Sequence, residues 1–192
     1  MTGVAQGNAV GGGVTVTRHF VTTASGRQVH CRRAGSGPAI VMCHESPLSS
    51  LSLADAVAWL SRRFTVIALD NPGYGSSDKL DHPDPEIGEF ADALAETLDA
   101  LGIGRCAVYG FHTGAAIGLD LAARYPERVS AAVLEGVLVP GPEERAALVE
   151  RYAPWYPPAW SGAHLVEHWC RVRDMFVFWP WFDRRDEARL PV

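Results

Sequence analysis

Between residues 39 and 136 four short apolar runs, AIVMC (39–43), FTVIALD (64–70), CAVYG (106–110) and SAAVLEG (130–136), are separated by three segments of helical periodicity. The helical segments read LSLADAVAWLSRR, DPEIGEFADALAETLDALGI and TGAAIGLDLAARYPERV. Strand and helix in strict alternation build crossover units, and these give a mostly parallel sheet with helices on both faces. Ahead of them VTVTRHFV alternates from Val14, a turn follows at ASG, and RQVHCRRAG resumes the strand pattern. That stretch reads as an antiparallel hairpin entering the sheet. The fold class expected is therefore α/β.

Local signals agree with this segmentation. Asp84 and Pro85 suit the Ncap and N1 positions of the second helix, Gly102 stands where a C′ glycine would end it, and Pro126 closes the third. Residues 1–13 are glycine-rich and expected to be disordered, and residues 14–138 form the α/β core. From 139 to 192 the chain offers proline-broken helical stretches, no further strand, and ten of the eighteen aromatic residues.

Composition matters mainly for what it excludes. A net charge of −5 with scattered Lys and Arg argues against nucleic acid or an anionic membrane surface as partner. The N-terminus lacks a basic patch followed by an apolar stretch, and no apolar run reaches the length of a membrane span. Four cysteines without a CxxC pair, two of them inside apolar runs, fit reduced thiols and a cytoplasmic location.

Three motifs follow successive strands: VMCHESP, LDNPGYGSSDK and VYGFHTGAAIG. On these residues the chain resembles the α/β-hydrolase fold superfamily, in the branch of haloalkane dehalogenases and epoxide hydrolases. The resemblance extends over roughly residues 14 to 190 and implies a sheet of that family with part of a helical cap over residues 139–192. VMCHESP is similar to the family's H-G-x-P oxyanion loop, with Glu45 where glycine is usual. VYGFHTGAAIG is similar to its nucleophile elbow, with His112 where the nucleophile stands.

The elbow requires a tip residue at positive φ and small residues two positions to either side, which Gly110, Gly114 and Ala115 supply. Histidine tolerates positive φ better than most residues. A helix N-terminus disfavours the imidazolium, so His112 is expected to be neutral and able to act as a base or as a nucleophile. It could instead position substrate without chemistry, or survive as a turn residue in a protein without catalysis.

The resemblance implies oxyanion donors at the Thr113 and Ser46 amides. It also implies substrate contacts from His44, Glu45 and Phe111, and from Trp155, Trp160 and Trp179 of the cap. Glu135, 23 residues after His112, is the candidate acid to orient the imidazole, against the alternative of a solvated strand-end glutamate. Asp70 and Asp78 read as structural groups of their loops.

The family's usual histidine comes from a loop after the last strand of the fold, and neither His164 nor His168 matches that place. HLVEH at 164–168 fits H-x-x-E-H, but no third ligand accompanies it, and Trp169, Val172 and Phe176 make it one turn of an amphipathic helix. No metal and no cofactor are expected. The strand ending at Glu135 would leave a sheet edge open, so the chain is expected to be half of a two-subunit enzyme, a shortened product, or a homodimer.

The function expected is hydrolysis of a hydrophobic small molecule at an ester, epoxide or related bond, with His112 at the elbow. The alternatives are a non-catalytic small-molecule or partner-binding protein and one subunit of a split hydrolase. A dinucleotide-binding protein is disfavoured, since no G-x-G-x-x-G follows the first parallel strand.

Overall fold

The computed structural model describes residues 8–10, 14–146 and 156–177. It separates into two compact units, Met1–Val139 and Pro140–Val192. The first unit holds a seven-stranded sheet in the order β1-β2-β3-β5-β4-β6-β7. Its strands are β1 (Asn8–Val10), β2 (Val14–Thr22), β3 (Gln28–Ala34), β4 (Ala39–Cys43), β5 (Thr65–Leu69), β6 (Cys106–Phe111) and β7 (Val129–Glu135). The hairpin is antiparallel, β3 joins β5 antiparallel, and β5, β4, β6 and β7 run parallel. This is the α/β sheet that the alternation demanded.

One expectation changes at the N-terminus. Asn8–Val10, placed in a disordered stretch, forms a short strand against β2, with Asn8 opposite Val16 and Val10 opposite Val14. The outer edge of β2 offers unpaired backbone groups, and three residues are enough to use them.

Alternating side chains divide the core between two layers. Val41 and Cys43 of β4, Ile67 and Leu69 of β5 and Val108 of β6 face α2 (Ile87–Ala100) and α3 (Thr113–Arg124), meeting Leu94, Leu98, Ile117 and Leu121. Met42, Val66 and Ala68 point the other way, onto Val57 of α1 (Ala54–Leu60) and the preceding Leu53. The period-two register thus puts helices on both faces of the sheet.

α2 begins later than its Asp84–Pro85 signal suggested. Glu86 is the N-cap, and its side chain and that of Glu89 form a reciprocal capping box. Its end is as expected: Gly102 has φ +69°, its N–H donates to Asp99 O, and the Ile103 N–H donates to Leu98 O, the Schellman arrangement.

In the second unit residues 142–146 are helical and a longer helix spans Ala163–Val177. Leu165, Val166 and Trp169 on it are exposed, and the Arg173 guanidinium lies 5.0 Å from the Trp169 ring centroid. Among the described residues no helix is long and apolar enough to cross a membrane.

Candidate active site

The sequence FHTG folds into a sharp strand-to-helix turn because two glycines let main chain touch main chain. A Cβ on Gly110 would collide with Gly114 O and Ala115 Cα, and one on Gly114 with Cys43 O and His44 O. His112 sits at the apex with φ 48° and ψ −112°, and it is the sole non-glycine described residue with positive φ. Its N–H donates to Glu135 O at 2.9 Å, and its carbonyl accepts from the Ala115 and Ala116 N–H groups at 2.9 and 3.1 Å. The imidazole is exposed and meets the Phe111 ring edge to face, with centroids 4.6 Å apart.

Thr113 opens α3, so its N–H is one of the donors that a helix start leaves without an intrahelical partner. The first turn of α3 presses at Gly114 on the main chain of Cys43 and His44, which brings the loop carrying Ser46 beside it. The Ser46 hydroxyl is enclosed without a hydrogen-bond partner, and the Ser46–Pro47 bond is cis.

His44, implied as a substrate contact, is completely buried. Its Nδ1 lies 2.7 Å from Glu45 O, and its Nε2 accepts the Asn71 N–H at 3.0 Å, while the Asn71 amide donates to His44 O at 2.8 Å. Burial lowers its pKa, outweighing the Glu45 carbonyl bond and the Asp70 and Glu45 charges, so it stays a neutral brace between two loops.

Glu45 is also nearly buried, and its carboxylate accepts from the Ser52 hydroxyl at 3.1 Å. Beyond Ser52 the surface opens into a groove of about 470 Å³ lined by Pro47, Leu48, Ser49, Leu51, Ser52 and Gly75.

Glu135 lies next to the elbow, yet its carboxylate is engaged elsewhere. The Tyr109 hydroxyl donates to Glu135 Oε2 at 3.0 Å. Burial, that hydrogen bond and the Glu135 and Glu45 charges push the Tyr109 phenol up to about 12, so it remains a donor. Only the backbone carbonyl of Glu135 bonds to His112. Sequence reasoning missed Tyr109, which depends on the register that sets Tyr109 beside Val133 and Phe111 beside Glu135.

Asp70 and Asp78 are loop anchors. Asp70 accepts from the Ser50 and Ser76 N–H groups at 2.8 and 2.9 Å and pairs with His30 Nδ1 at 2.8 Å. Burial opposes its ionisation, but the Ser50 and Ser76 hydrogen bonds and His30 together lower its pKa. Asp78 accepts the Gln28 N–H at 2.8 Å.

Trp160 is fully exposed, while Trp155 and Trp179 lie outside the described residues. His164 Nδ1 accepts the Ala159 N–H at 3.0 Å, and the His168 ring packs on Tyr156. Among the described residues no group of three or more His, Cys, Asp and Glu is placed to hold a metal ion.

Comparisons with known proteins fit this geometry. A family model described as alpha/beta hydrolase fold matches residues 38–163. Bifunctional epoxide hydrolase 2 of Mus musculus is 35% identical over 122 residues, 60% of this chain and 21% of that protein. Haloalkane dehalogenase 2 of Mycobacterium tuberculosis is 32% identical over 107 residues, 56% of this chain and 37% of that one. The crystal structure of epoxide hydrolase VrEH1 from Vigna radiata superimposes with a TM-score of 0.68 at 22% identity, covering 83% of this chain and 54% of that one, a likeness of fold. This chain spans a third of the length of its first curated relatives, 33% in an uncharacterised Mycobacterium tuberculosis protein.

Proposed function

Because the chain belongs to the α/β-hydrolase fold family, we propose that it hydrolyses a hydrophobic small molecule at an ester, epoxide or related bond, with His112 as the reacting base. The observation that carries this reading is the elbow itself. A histidine is held at φ 48° with its ring exposed at the start of α3, the place and posture of a reacting side chain. A strained non-glycine apex costs on the order of 1–3 kcal/mol, and such strain gathers at functional sites.

In this scheme the imidazole accepts a proton from water as the water attacks the substrate carbonyl or ring carbon. The Thr113 and Ser46 amides donate to the oxygen that gains charge. Direct attack by the imidazole nitrogen is the nucleophilic variant, in which a covalent intermediate is then hydrolysed. The named activities of the epoxide hydrolase and haloalkane dehalogenase relatives favour small apolar substrates. Phe111 and the groove beyond Ser52 would supply apolar contact.

A second reading, a non-catalytic binder on the same scaffold, draws on one observation: the Glu135 carboxylate bonds to Tyr109, and among the described residues no carboxylate is bonded to the His112 ring. Hydrolysis of short aryl esters and epoxides by the folded chain and by His112→Ala separates the two. Loss of at least about a hundredfold in kcat in the variant, within the usual worth of a general base, supports the enzyme. Equal rates in both proteins overturn the role of His112.

A further inference from the structure

An imidazole that acts as a base is ordinarily held in orientation by a carboxylate on its far nitrogen. Here the Glu135 carboxylate bonds to Tyr109, and among the described residues the orientation of the ring falls to other contacts. The His112 main chain is fixed by its N–H bond to Glu135 O, which leaves the two side-chain torsions to be set by packing. Two residues lie beside the ring. Phe111 stands against the ring edge to face at an interplanar angle of 82°. Gly136, immediately after β7, lies beneath its Cδ2–Nε2–Cε1 side. A Cβ on Gly136 would sit 3.3 Å from Cδ2 and Nε2, tighter than ordinary side-chain contact, and 3.5 Å from Cε1, an ordinary contact distance.

We propose that Gly136 and Phe111 are positioning residues that seat the His112 imidazole by contact alone, Gly136 keeping the Nε2 end uncovered in place of a carboxylate orienter. The proposal rests on the catalytic reading of His112. Any side chain at Gly136 would tilt the ring or cover its Nε2 end.

Gly136 also has φ +67°, so a purely conformational role must be separated from the seat. Gly102 provides the control: its φ is +69° and a Cβ there would meet no atom within 4 Å. The test compares wild type, Gly136→Ala, Gly136→Asn and Gly102→Ala. It reads the His112 imidazole resonances, assigned by their loss in His112→Ala, alongside kcat and KM on aryl esters. Asparagine tolerates positive φ, so Gly136→Asn keeps the backbone while adding the Cβ.

The seat predicts shifted His112 resonances in both Gly136 variants. It also predicts a fall in kcat of about tenfold or more with KM changed by less than about twofold, as expected for a misplaced catalytic group. Gly102→Ala should change neither. Unchanged His112 resonances in a folded Gly136 variant, or the same changes in Gly102→Ala, overturn it. If neither Gly136 variant folds, Phe111→Leu is read the same way, and unmoved resonances there overturn the proposal. If wild type hydrolyses nothing, the catalytic reading falls, and the resonances alone decide whether the ring is seated.

Discussion

At the scale of single residues, Asp70 joins three parts of the chain. It takes hydrogen bonds from His30 of β3, from Ser50 ahead of α1 and from Ser76 in the loop after β5. Its folded pKa lies below the ordinary 3.8, so the stability it adds is complete above that value and is lost as pH falls through the folded pKa. Asp70→Asn should therefore cost about 2–4 kcal/mol at neutral pH, since it removes a buried acceptor and strands its donors. Urea unfolding between pH 7 and 3 checks this, and the variant's stability should decline less steeply below about pH 4 than the wild type's. The local sequence already marked Asp70 as a strand-end anchor and His112 as the apex, because turn chemistry and glycine spacing are written in neighbouring residues. It could not show that the Glu135 carboxylate bonds to Tyr109 or that His44 is enclosed, because strand register and loop docking depend on residues far along the chain.

At the scale of elements, the strands and helices of the first unit were legible from periodicity, and their ends were legible where a cap is local. Gly102 closes α2 as its position suggested, whereas the reciprocal bonds of Glu86 and Glu89 move the start past Pro85. β7 differs from the other parallel strands. It ends the sheet order, its residues from Ser130 to Val133 are exposed, and Val133 retains 63% of its accessible surface. An apolar edge strand is a template for pairing. Prepared as this 192-residue chain, the protein should therefore self-associate with rising concentration, and Val133→Lys should reduce that association in light scattering. Monomeric behaviour in both proteins would count against the edge as the contact.

At the scale of the whole molecule, thiol chemistry can report on how the first unit opens. Burial pushes the thiols of Cys31 and Cys106 up to about 11 and that of Cys43 up to about 12, so they are unreactive while folded. Cys170, in the second unit, is partly exposed. Alkylation followed by mass spectrometry should modify Cys170 first. The other three should follow together at the rate of global opening, because they share one core; three separate rates would indicate sub-global opening instead. The elbow has a parallel consequence. Gly114 lets the first turn of α3 rest on the carbonyls of Cys43 and His44, so the spacing between elbow and oxyanion loop is set by backbone against backbone. The exposed group at position 112 takes no part in that spacing. The site is thus a socket that fits more than one reagent, and serine or aspartate installed at position 112 would inherit the same frame and test a different chemistry in it.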